Sequence, residues 1–315
     1  MGSFPRRRES SQDGEPQMNA DERRWAGIVS GAVLMAAFAV LPAVAATPVP
    51  SGKWSFVFND AKGHADRPVR VYTYRPRQCE STCPIVFAVH GKNRKASNAR
   101  DNWELAADRH GFLVVAPEFS AQHWPKAADY NLGGVANDGN REKWAYSVIE
   151  HLFDEVRDGQ KDYAIFGHSA GAQFVHRLLV LLPDNRVSVA IAANAGWYLM
   201  PEWRKEKASH PYPHSLVDSP AGERELRIAL GKRLVVLLGE KDSDSQHKDL
   251  DRSGGSMKQG ENRVERGENF FGAATTAARD LGVKLAWELA YVPGTGHEGA
   301  AMSKAAADHV WGGKK

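Results

Sequence analysis

Residues Gly167 to Gly171 read G-H-S-A-G and lie between two segments with different secondary-structure preferences. The preceding D-Y-A-I-F favours a short buried strand, and residues 172–182 favour a helix that Pro183 ends. A serine on such a sharp strand–turn–helix junction has a strained backbone and an exposed hydroxyl, while the two glycines leave room where strand and helix nearly touch. Ser169 is therefore predicted to be a nucleophile; the alternative is a flexible turn.

A serine nucleophile needs a base that accepts its proton and an acid that orients the base. The apolar segment 234–238 runs into G-E-K-D-S-D, so Asp242 follows a predicted strand end, with Asp244 as the alternative acid. Further on, P-G-T-G-H-E-G places His297 in a loop that can carry an imidazole over the serine. The chain order Ser169, Asp242, His297 is that of a large class of serine enzymes. The alternative for these acids and for His297 is a solvated loop.

Two backbone donors are expected to stabilise the oxyanion that forms during acyl transfer. One is predicted to be the N–H of Ala170, directly after the nucleophile. The other comes from the apolar run 84–90, which ends in H-G-K-N. Gly91 lets the backbone turn there, so the N–H of Lys92 is the predicted second donor and Asn93 the alternative.

The surrounding elements must position these residues. Near-continuous apolar runs, typical of strands buried on both faces, occur at 84–90, 112–116, 163–166, 187–193 and 233–238. Helical patterns occur at 99–109, 141–156, 172–182, 269–281 and 300–310. Segments 53–58 and 69–74 predict a leading antiparallel pair, and 283–292 predicts the last strand. This alternation predicts an α/β fold, a doubly wound and mostly parallel sheet with helices on both faces, whose ligands bind at the carboxyl ends of the strands.

The first 46 residues differ in character from the rest. Residues 1–22 form a polar extension, predicted to be a disordered tail. Residues 23–46 combine two arginines, an apolar stretch and the small-residue exit A-V-A-A, which is typical of a secretory signal peptide. Its cleavage would leave a single domain at 47–315, periplasmic or secreted. The alternative is an uncleaved membrane anchor over 25–46, and Met18 is an alternative start to Met1.

The composition, 42% hydrophobic and 25% charged over 315 residues, is typical of a globular protein. A net charge of +3 is too balanced to indicate a nucleic-acid partner. Cys79 and Cys83 have the spacing C-x3-C, which in an exported chain predicts a disulfide. Two free thiols or half of a metal site are the alternatives.

The motifs H-G-K-N, G-H-S-A-G, G-E-K-D and G-T-G-H, in this order, resemble the α/β-hydrolase superfamily over residues 53–311. Within it, the secreted single-domain form resembles the poly(3-hydroxybutyrate) depolymerase and feruloyl-esterase-like group. The resemblance implies a small-molecule or polymeric carboxylic ester as substrate, with no metal, no organic cofactor and, after signal cleavage, no membrane partner. It also implies an acyl-enzyme on Ser169.

Specificity is expected to come from loops at strand ends. Segment 194–203 is rich in aromatic residues, and Trp197 and Tyr198 are predicted to line a substrate pocket, with local core as the alternative. His168, inside the pentapeptide, is predicted to be a packing residue whose side chain points away from that of Ser169.

The polar segment 249–267 follows the predicted acid. A solvated or mutually paired charge run is the favoured interpretation, and the alternative is that Arg263 or Arg266 pairs with Asp244 or meets a substrate carboxylate. Two other functions remain open: a serine peptidase or amidase on the same triad, and a non-catalytic binding module on the hydrolase frame. The intact order of serine, aspartate and histidine favours an exported ester hydrolase, because function follows from the site and not from the fold.

Overall fold

The computed structural model describes residues 49–80 and 82–311. The polar extension 1–22 and the segment 23–46, with its two interpretations as a signal peptide or an anchor, lie outside these residues and stay predictions. Within the described ranges, no helix has both the length and the apolar character needed to cross a bilayer.

Eight strands form one sheet in the order β1-β2-β4-β3-β5-β6-β7-β8. The pairs β1–β2 and β2–β4 are antiparallel, and all the other pairs are parallel. The predicted mostly parallel sheet and its antiparallel leading pair are confirmed. The strand bounds are β1 Gly52–Asp60, β2 His64–Arg75, β3 Ile85–Val89, β4 Leu113–Glu118, β5 Tyr163–His168, β6 Val187–Ala193, β7 Leu234–Gly239 and β8 Trp287–Val292.

Helices cover both faces of the sheet. Their bounds are α1 Ala96–Asp101, α2 Glu104–His110, α3 Ala145–Val156, α4 Ala170–Leu181, α5 Glu223–Leu230, α6 Gly254–Met257, α7 Arg263–Leu281 and α8 Gly299–Trp311. Buried side chains of α3, α4, α5 and α7 pack in one core, and those of α1, α2 and α8 pack in a second core across the sheet. Strands β3 and β7 are buried at every position, because their apolar side chains contribute to both cores.

Several predicted bounds differ from the observed ones. The predicted helix 99–109 is two short helices, and Trp103, whose side chain is fully buried, lies between them. Helix α7 begins at Arg263, six residues before the predicted start, where the side chain of Asn262 accepts a hydrogen bond from the backbone N–H of Glu265. The predicted disulfide between Cys79 and Cys83 is present.

The carboxyl ends of the central strands meet at one edge of the sheet. Gly167, near the end of β5, pairs with Val89 at the end of β3. Gly239 at the end of β7 pairs with Val292 at the end of β8. The loops that follow these ends carry the predicted catalytic residues, so the topology brings widely separated sequence motifs together.

Candidate active site

Ser169 lies on the turn between β5 and α4 with φ of 59° and ψ of −116°. A non-glycine residue with positive φ outside the left-handed helical region is strained, and such strain is typical of a nucleophile elbow. The strand before it and the helix after it hold the serine in this conformation. The N-terminus of α4 therefore lies directly beside the serine hydroxyl, where its unpaired N–H groups can interact with negative charge.

The two glycines of the elbow are required by close packing. A Cβ on Gly167 would lie 2.1 Å from the carbonyl oxygen of Gly171. A Cβ on Gly171 would lie 2.4 Å from the carbonyl oxygen of Val89. The first turn of α4 thus packs directly against the end of β3, as the sequence pattern indicates.

Asp242 and His297 are hydrogen-bonded to each other. The distance from His297 Nδ1 to Asp242 Oδ2 is 2.6 Å, and the Asp242 side chain is buried. Asp244, the alternative acid, is exposed and accepts a hydrogen bond from the backbone N–H of Gln246. The geometry therefore selects Asp242 as the partner of His297.

The acid–base loops, residues 239–242 and 293–297, are tied together. The N–H of Lys241 donates to the carbonyl oxygen of Thr295 at 2.8 Å. A Cβ on Gly239 would lie 2.6 Å from the carbonyl oxygens of Thr295 and Gly296, so only glycine permits this approach. The two loops thus form one structural unit that fixes the distance between acid and base.

Asn194, at the end of β6, was not singled out for a role from the sequence. Its side chain donates to the carbonyl oxygen of Gly296 at 2.9 Å and accepts from the N–H of Gly239 at 2.8 Å. The residue is fully buried and has φ of 49°. It joins both acid–base loops to the central sheet. A strand end followed by asparagine was its only sequence signal.

The oxyanion loop, residues 90–94, lies against the elbow. A Cβ on Gly91 would be 3.9 Å from Ser169 Cβ, and both Ser169 and Lys92 line the same pocket. Ala170 is the first residue of α4, so its N–H belongs to the helix N-terminus beside the serine. Ala170 and Lys92 therefore both lie close to Ser169, and the donation of their N–H groups to an oxyanion stays a prediction.

Neutral and aromatic groups hold the oxyanion loop. The N–H of Phe119 donates to His90 Nε2 at 3.0 Å, so His90 Nδ1 carries the proton and donates to the carbonyl oxygen of Gly91 at 2.9 Å. Burial, with a smaller effect of Arg94, lowers the pKa of His90 to about 4 and keeps the ring neutral. The Tyr130 hydroxyl donates to the carbonyl oxygen of His90, and Arg94 lies 4.2 Å from the centre of the Tyr130 ring.

A pocket of about 350 Å³ contains Ser169, His297, Lys92 and His168 among its lining residues. Among the described residues, the side chains of Ser169 and His297 are not hydrogen-bonded to each other. Hydrogen bonds between catalytic groups often tighten only when substrate is bound. The pocket lies where the carboxyl ends of β3 and β5 meet the acid–base loops. Its volume suits a small acyl or alcohol group.

His168 lies in this pocket, beside the base. Its ring centre is 4.5 Å from that of His297. Burial and then the charge of His297 lower the pKa of His168 to about 3, so the ring is neutral. The expected packing role therefore takes a specific form, which is contact with the His297 imidazole.

Trp197 and Tyr198 do not line this pocket, contrary to the prediction. Trp197 stacks on His214 with 4.5 Å between ring centres, and the guanidinium of Arg177 lies 4.2 Å from the centre of its ring. Tyr198 stacks on Phe270 at 4.5 Å and is fully buried. Tyr198 belongs to the core beneath α4 and α7, whereas Trp197 packs on the His214 ring and the Arg177 guanidinium.

Arg263 and Arg266, two of the three arginines in the polar segment, are both buried. Arg263 Nη1 donates to Asp242 Oδ1 at 3.0 Å, so it pairs with Asp242 and not with Asp244. Arg266 donates to the backbone carbonyl oxygens of Gly260, Gly196 and Asp251. The interpretation as a solvated charge run is wrong for both residues, and the sequence carried no sign of the Arg263–Asp242 contact.

A scan of protein-family models finds no match to this chain, and a search of curated protein sequences finds none either. Solved structures that are similar to this chain include two hydrolases. Poly(aspartic acid) hydrolase-1 from Sphingomonas sp. KT-1 is 39% identical, with a TM-score of 0.78 over 84% of this chain and 100% of that one. LpqC, a poly(3-hydroxybutyrate) depolymerase from Bordetella parapertussis, is 33% identical, with a TM-score of 0.77 over 84% of this chain and 92% of that one.

An S-formylglutathione hydrolase from Agrobacterium tumefaciens, 13% identical with a TM-score of 0.52 over 84% of this chain and 95% of that one, shares the fold. These similarities and the strand order define an α/β-hydrolase, an enzyme of the serine esterase and depolymerase class. The chain belongs to the family that includes the Sphingomonas and Bordetella hydrolases. The predicted superfamily and the resemblance to poly(3-hydroxybutyrate) depolymerase are confirmed.

Proposed function

We propose that this enzyme hydrolyses carboxylic esters through an acyl-enzyme on Ser169. His297 Nε2 takes the proton of the Ser169 hydroxyl as Oγ attacks the ester carbonyl carbon. The N–H groups of Ala170 and Lys92 donate to the oxyanion. His297 then protonates the leaving alcohol. Water, deprotonated by the same imidazole, releases the acid and regenerates the serine. Asp242 holds the ring of His297 and stabilises its cation.

The contact between Asp242 and His297 carries this proposal. A buried carboxylate 2.6 Å from His297 Nδ1 requires that nitrogen to bear the proton, which leaves Nε2 free to act as the base. Both His297 and the strained Ser169 line one pocket. A binding module would not need this combination of a fixed tautomer and a strained serine.

The site of action is proposed to be outside the cytoplasm. The signal-like segment 23–46 and the disulfide between Cys79 and Cys83 support export. If the segment is cleaved, protein recovered from the periplasm or medium begins after Ala45 or Ala46, as mass spectrometry of its N-terminal peptide would show. Recovery of the intact segment in a membrane fraction would favour the anchor.

A second candidate is hydrolysis of amide bonds on the same triad. The 39% identity to a poly(aspartic acid) hydrolase favours it, because the backbone of poly(aspartic acid) is joined by amide bonds. Lys92 and Lys95 line the pocket; Lys92 is paired with Asp249, and the charge of Lys95 would attract an anionic chain. The same catalytic groups can transfer an acyl group from an ester or from an amide. The two candidates therefore differ in the leaving group of the substrate.

The test compares matched substrates on the purified full-length protein. We expect hydrolysis of p-nitrophenyl acetate, with kcat/KM falling as the acyl chain outgrows the pocket, and activity against poly(3-hydroxybutyrate) oligomers. If the enzyme cleaves poly(aspartic acid) or p-nitroacetanilide and leaves both kinds of ester intact, the amide candidate replaces the ester one.

Ser169→Ala provides the control for both candidates. Loss of the nucleophile is expected to lower kcat by about 10⁶-fold in a triad enzyme. If Ser169→Ala retains the activity of the wild type, the proposed mechanism is wrong whichever bond is cleaved.

A further inference from the structure

Arg263 occupies the first position of α7 and is almost fully buried, with 1% of its surface exposed. Its Nη1 donates to Asp242 Oδ1 at 3.0 Å, while Asp242 Oδ2 is the oxygen that contacts His297 Nδ1 at 2.6 Å. The two carboxylate oxygens are therefore divided between an arginine and the base.

This division has a physical consequence for the geometry of the site. A carboxylate held at one oxygen can still rotate about its terminal bond, whereas one held at both oxygens has a fixed plane. The plane of Asp242 sets the direction of its hydrogen bond to Nδ1, and that bond sets the orientation of the His297 ring. Arg263 also supplies the positive charge that a buried carboxylate requires.

The second terminal nitrogen of Arg263 extends the contact along the acid–base loops. Nη2 donates to His247 Nδ1 at 3.2 Å, and the N–H of Asp249 donates to the same ring nitrogen at 3.1 Å. His247 Nδ1 therefore acts as the acceptor for both donors. The Asp249 carboxylate forms an ion pair with Lys92 of the oxyanion loop. One guanidinium thus connects the triad acid to a segment that contacts the opposite side of the pocket.

Arg266, one turn further along α7, provides an internal comparison. It is also fully buried, but its hydrogen bonds to oxygen go to three backbone carbonyls, at 2.9, 2.6 and 2.8 Å. Arg266 therefore stabilises loop structure, whereas Arg263 contacts the catalytic acid directly. Comparing Arg263 with Arg266 therefore distinguishes a general structural role from a role in the reaction.

We infer that Arg263 is a positioning residue that acts on the reaction through Asp242. The inference rests on the proposed function, because it presupposes that Asp242 and His297 serve Ser169. Its effect belongs to the chemical step, since Arg263 is buried and does not line the pocket. It is therefore expected to change kcat and to leave KM nearly unchanged.

The test measures kcat and KM for p-nitrophenyl acetate with the full-length variants Arg263→Gln, Arg263→Lys and Arg266→Lys. We expect Arg263→Gln to lower kcat by ~10- to 100-fold, because the carboxylate loses its fixed plane. Arg263→Lys restores part of that loss, since an ammonium group can still donate to Oδ1. Arg266→Lys lowers the melting temperature but changes kcat by no more than about twofold.

A double-mutant cycle with Asp242→Asn distinguishes action through the acid from general damage. In that background, Arg263→Gln is expected to cost less than about threefold in kcat, because the acid is already lost. An equal loss in both backgrounds, or a loss for Arg266→Lys that matches Arg263→Lys, overturns the inference. If Arg263→Gln does not fold, the two lysine variants carry the test.

The Ser169→Ala variant separates failure of the inference from failure of the proposed function. An inactive Ser169→Ala with a fully active Arg263→Gln contradicts the positioning role alone. An active Ser169→Ala contradicts the proposed function, and the positioning role with it.

Discussion

The two sides of Ser169 are built on different physical principles. On one side, the acid–base loops depend on buried charge, with Asp242 divided between Arg263 and His297. On the other side, the oxyanion loop is held by the neutral His90 ring and the hydroxyl of Tyr130. Buried charged groups fix the side chains that are proposed to move protons, whereas buried neutral groups hold the backbone of the oxyanion loop. Changes on the charged side should therefore affect rate most strongly.

Between the two sides of Ser169, the largest effect is expected from Asp242→Asn. An amide in place of the carboxylate favours the wrong tautomer of His297, and kcat should fall by about 10⁴-fold. The measurement is steady-state hydrolysis of p-nitrophenyl acetate. Asp244→Asn is the matched control, because Asp244 is exposed and contacts a backbone N–H only. A larger loss for Asp244→Asn than for Asp242→Asn would reverse the assignment of the acid.

A smaller but still large effect is expected from Gly239→Ala. The added methyl group would lie 2.6 Å from two carbonyl oxygens of the opposite acid–base loop and would push acid and base apart. A displacement of about 1 Å can cost about 10²-fold in kcat.

Gly272→Ala on α7 is the control for this change, because a Cβ there meets no atom within 4 Å. It should leave kcat unchanged and raise the free energy of unfolding by about 0.4–1 kcal/mol. Wild-type kcat in Gly239→Ala would show that the close approach of the two loops is not needed for catalysis.

Tyr130→Phe tests the neutral side of the comparison. The carbonyl oxygen of His90 loses a buried donor, which should lower the free energy of unfolding by about 1–3 kcal/mol. The Lys92 amide should shift slightly, so kcat should fall by about 3- to 10-fold, less than complete loss of an oxyanion donor costs.

Tyr146→Phe removes a comparable buried bond, to the carbonyl oxygen of Asn131 at 3.2 Å, whose acceptor lies outside the oxyanion loop. Urea unfolding and ester hydrolysis measured on both variants separate stability from rate. Equal losses of kcat in the two variants would mean that Tyr130 has no specific effect on the oxyanion loop.

The smallest expected effect is a decrease in the free energy of unfolding at acidic pH. The pKa values of His90 and His168, about 4 and about 3, lie below the ordinary value of 6.5. The unfolded chain therefore binds protons first as the pH falls. The stabilisation from these neutral rings is complete above pH 6.5 and decreases toward pH 4, by at most about 1.4 kcal/mol per histidine and pH unit.

His151 has the opposite effect on the pH dependence of the free energy of unfolding. Burial lowers its pKa, but the hydrogen bonds and negative charges of Asp60 and Glu142 together raise the pKa by more, for a net increase. Urea unfolding at about pH 7.5 and 5.5 measures the balance. With at least two histidines on one side and one on the other, the free energy of unfolding should be lower at pH 5.5, and a higher value there would refute this expectation.

The elbow and the strand ends could be predicted from the sequence because they depend on local patterns. Continuous apolar runs indicate strands buried on both faces, and the two glycines of G-H-S-A-G indicate that a helix and a strand approach each other closely. The contact of Asp242 with His297 also follows from chain order and strand ends. Asp244 could be set aside only when the burial of each carboxylate was known.

Contacts between distant segments could not be predicted in this way. The aromatic residues Trp197 and Tyr198 follow a strand end, as pocket residues often do, yet they pack against partners from other elements. Arg263 lies 21 residues from the carboxylate that it contacts, in a segment whose composition is typical of a solvated surface. Neither periodicity nor spacing indicates which buried partner such a side chain finds.

The central claim is that Ser169 is the activated nucleophile. Treatment of the full-length protein with a fluorophosphonate, followed by digestion and mass spectrometry, identifies the residue that is modified. We predict phosphonylation of Ser169 in the wild type, much slower labelling in Asp242→Asn, and none at this peptide in Ser169→Ala. Labelling of another residue at the wild-type rate, with Ser169 unmodified, would contradict the account.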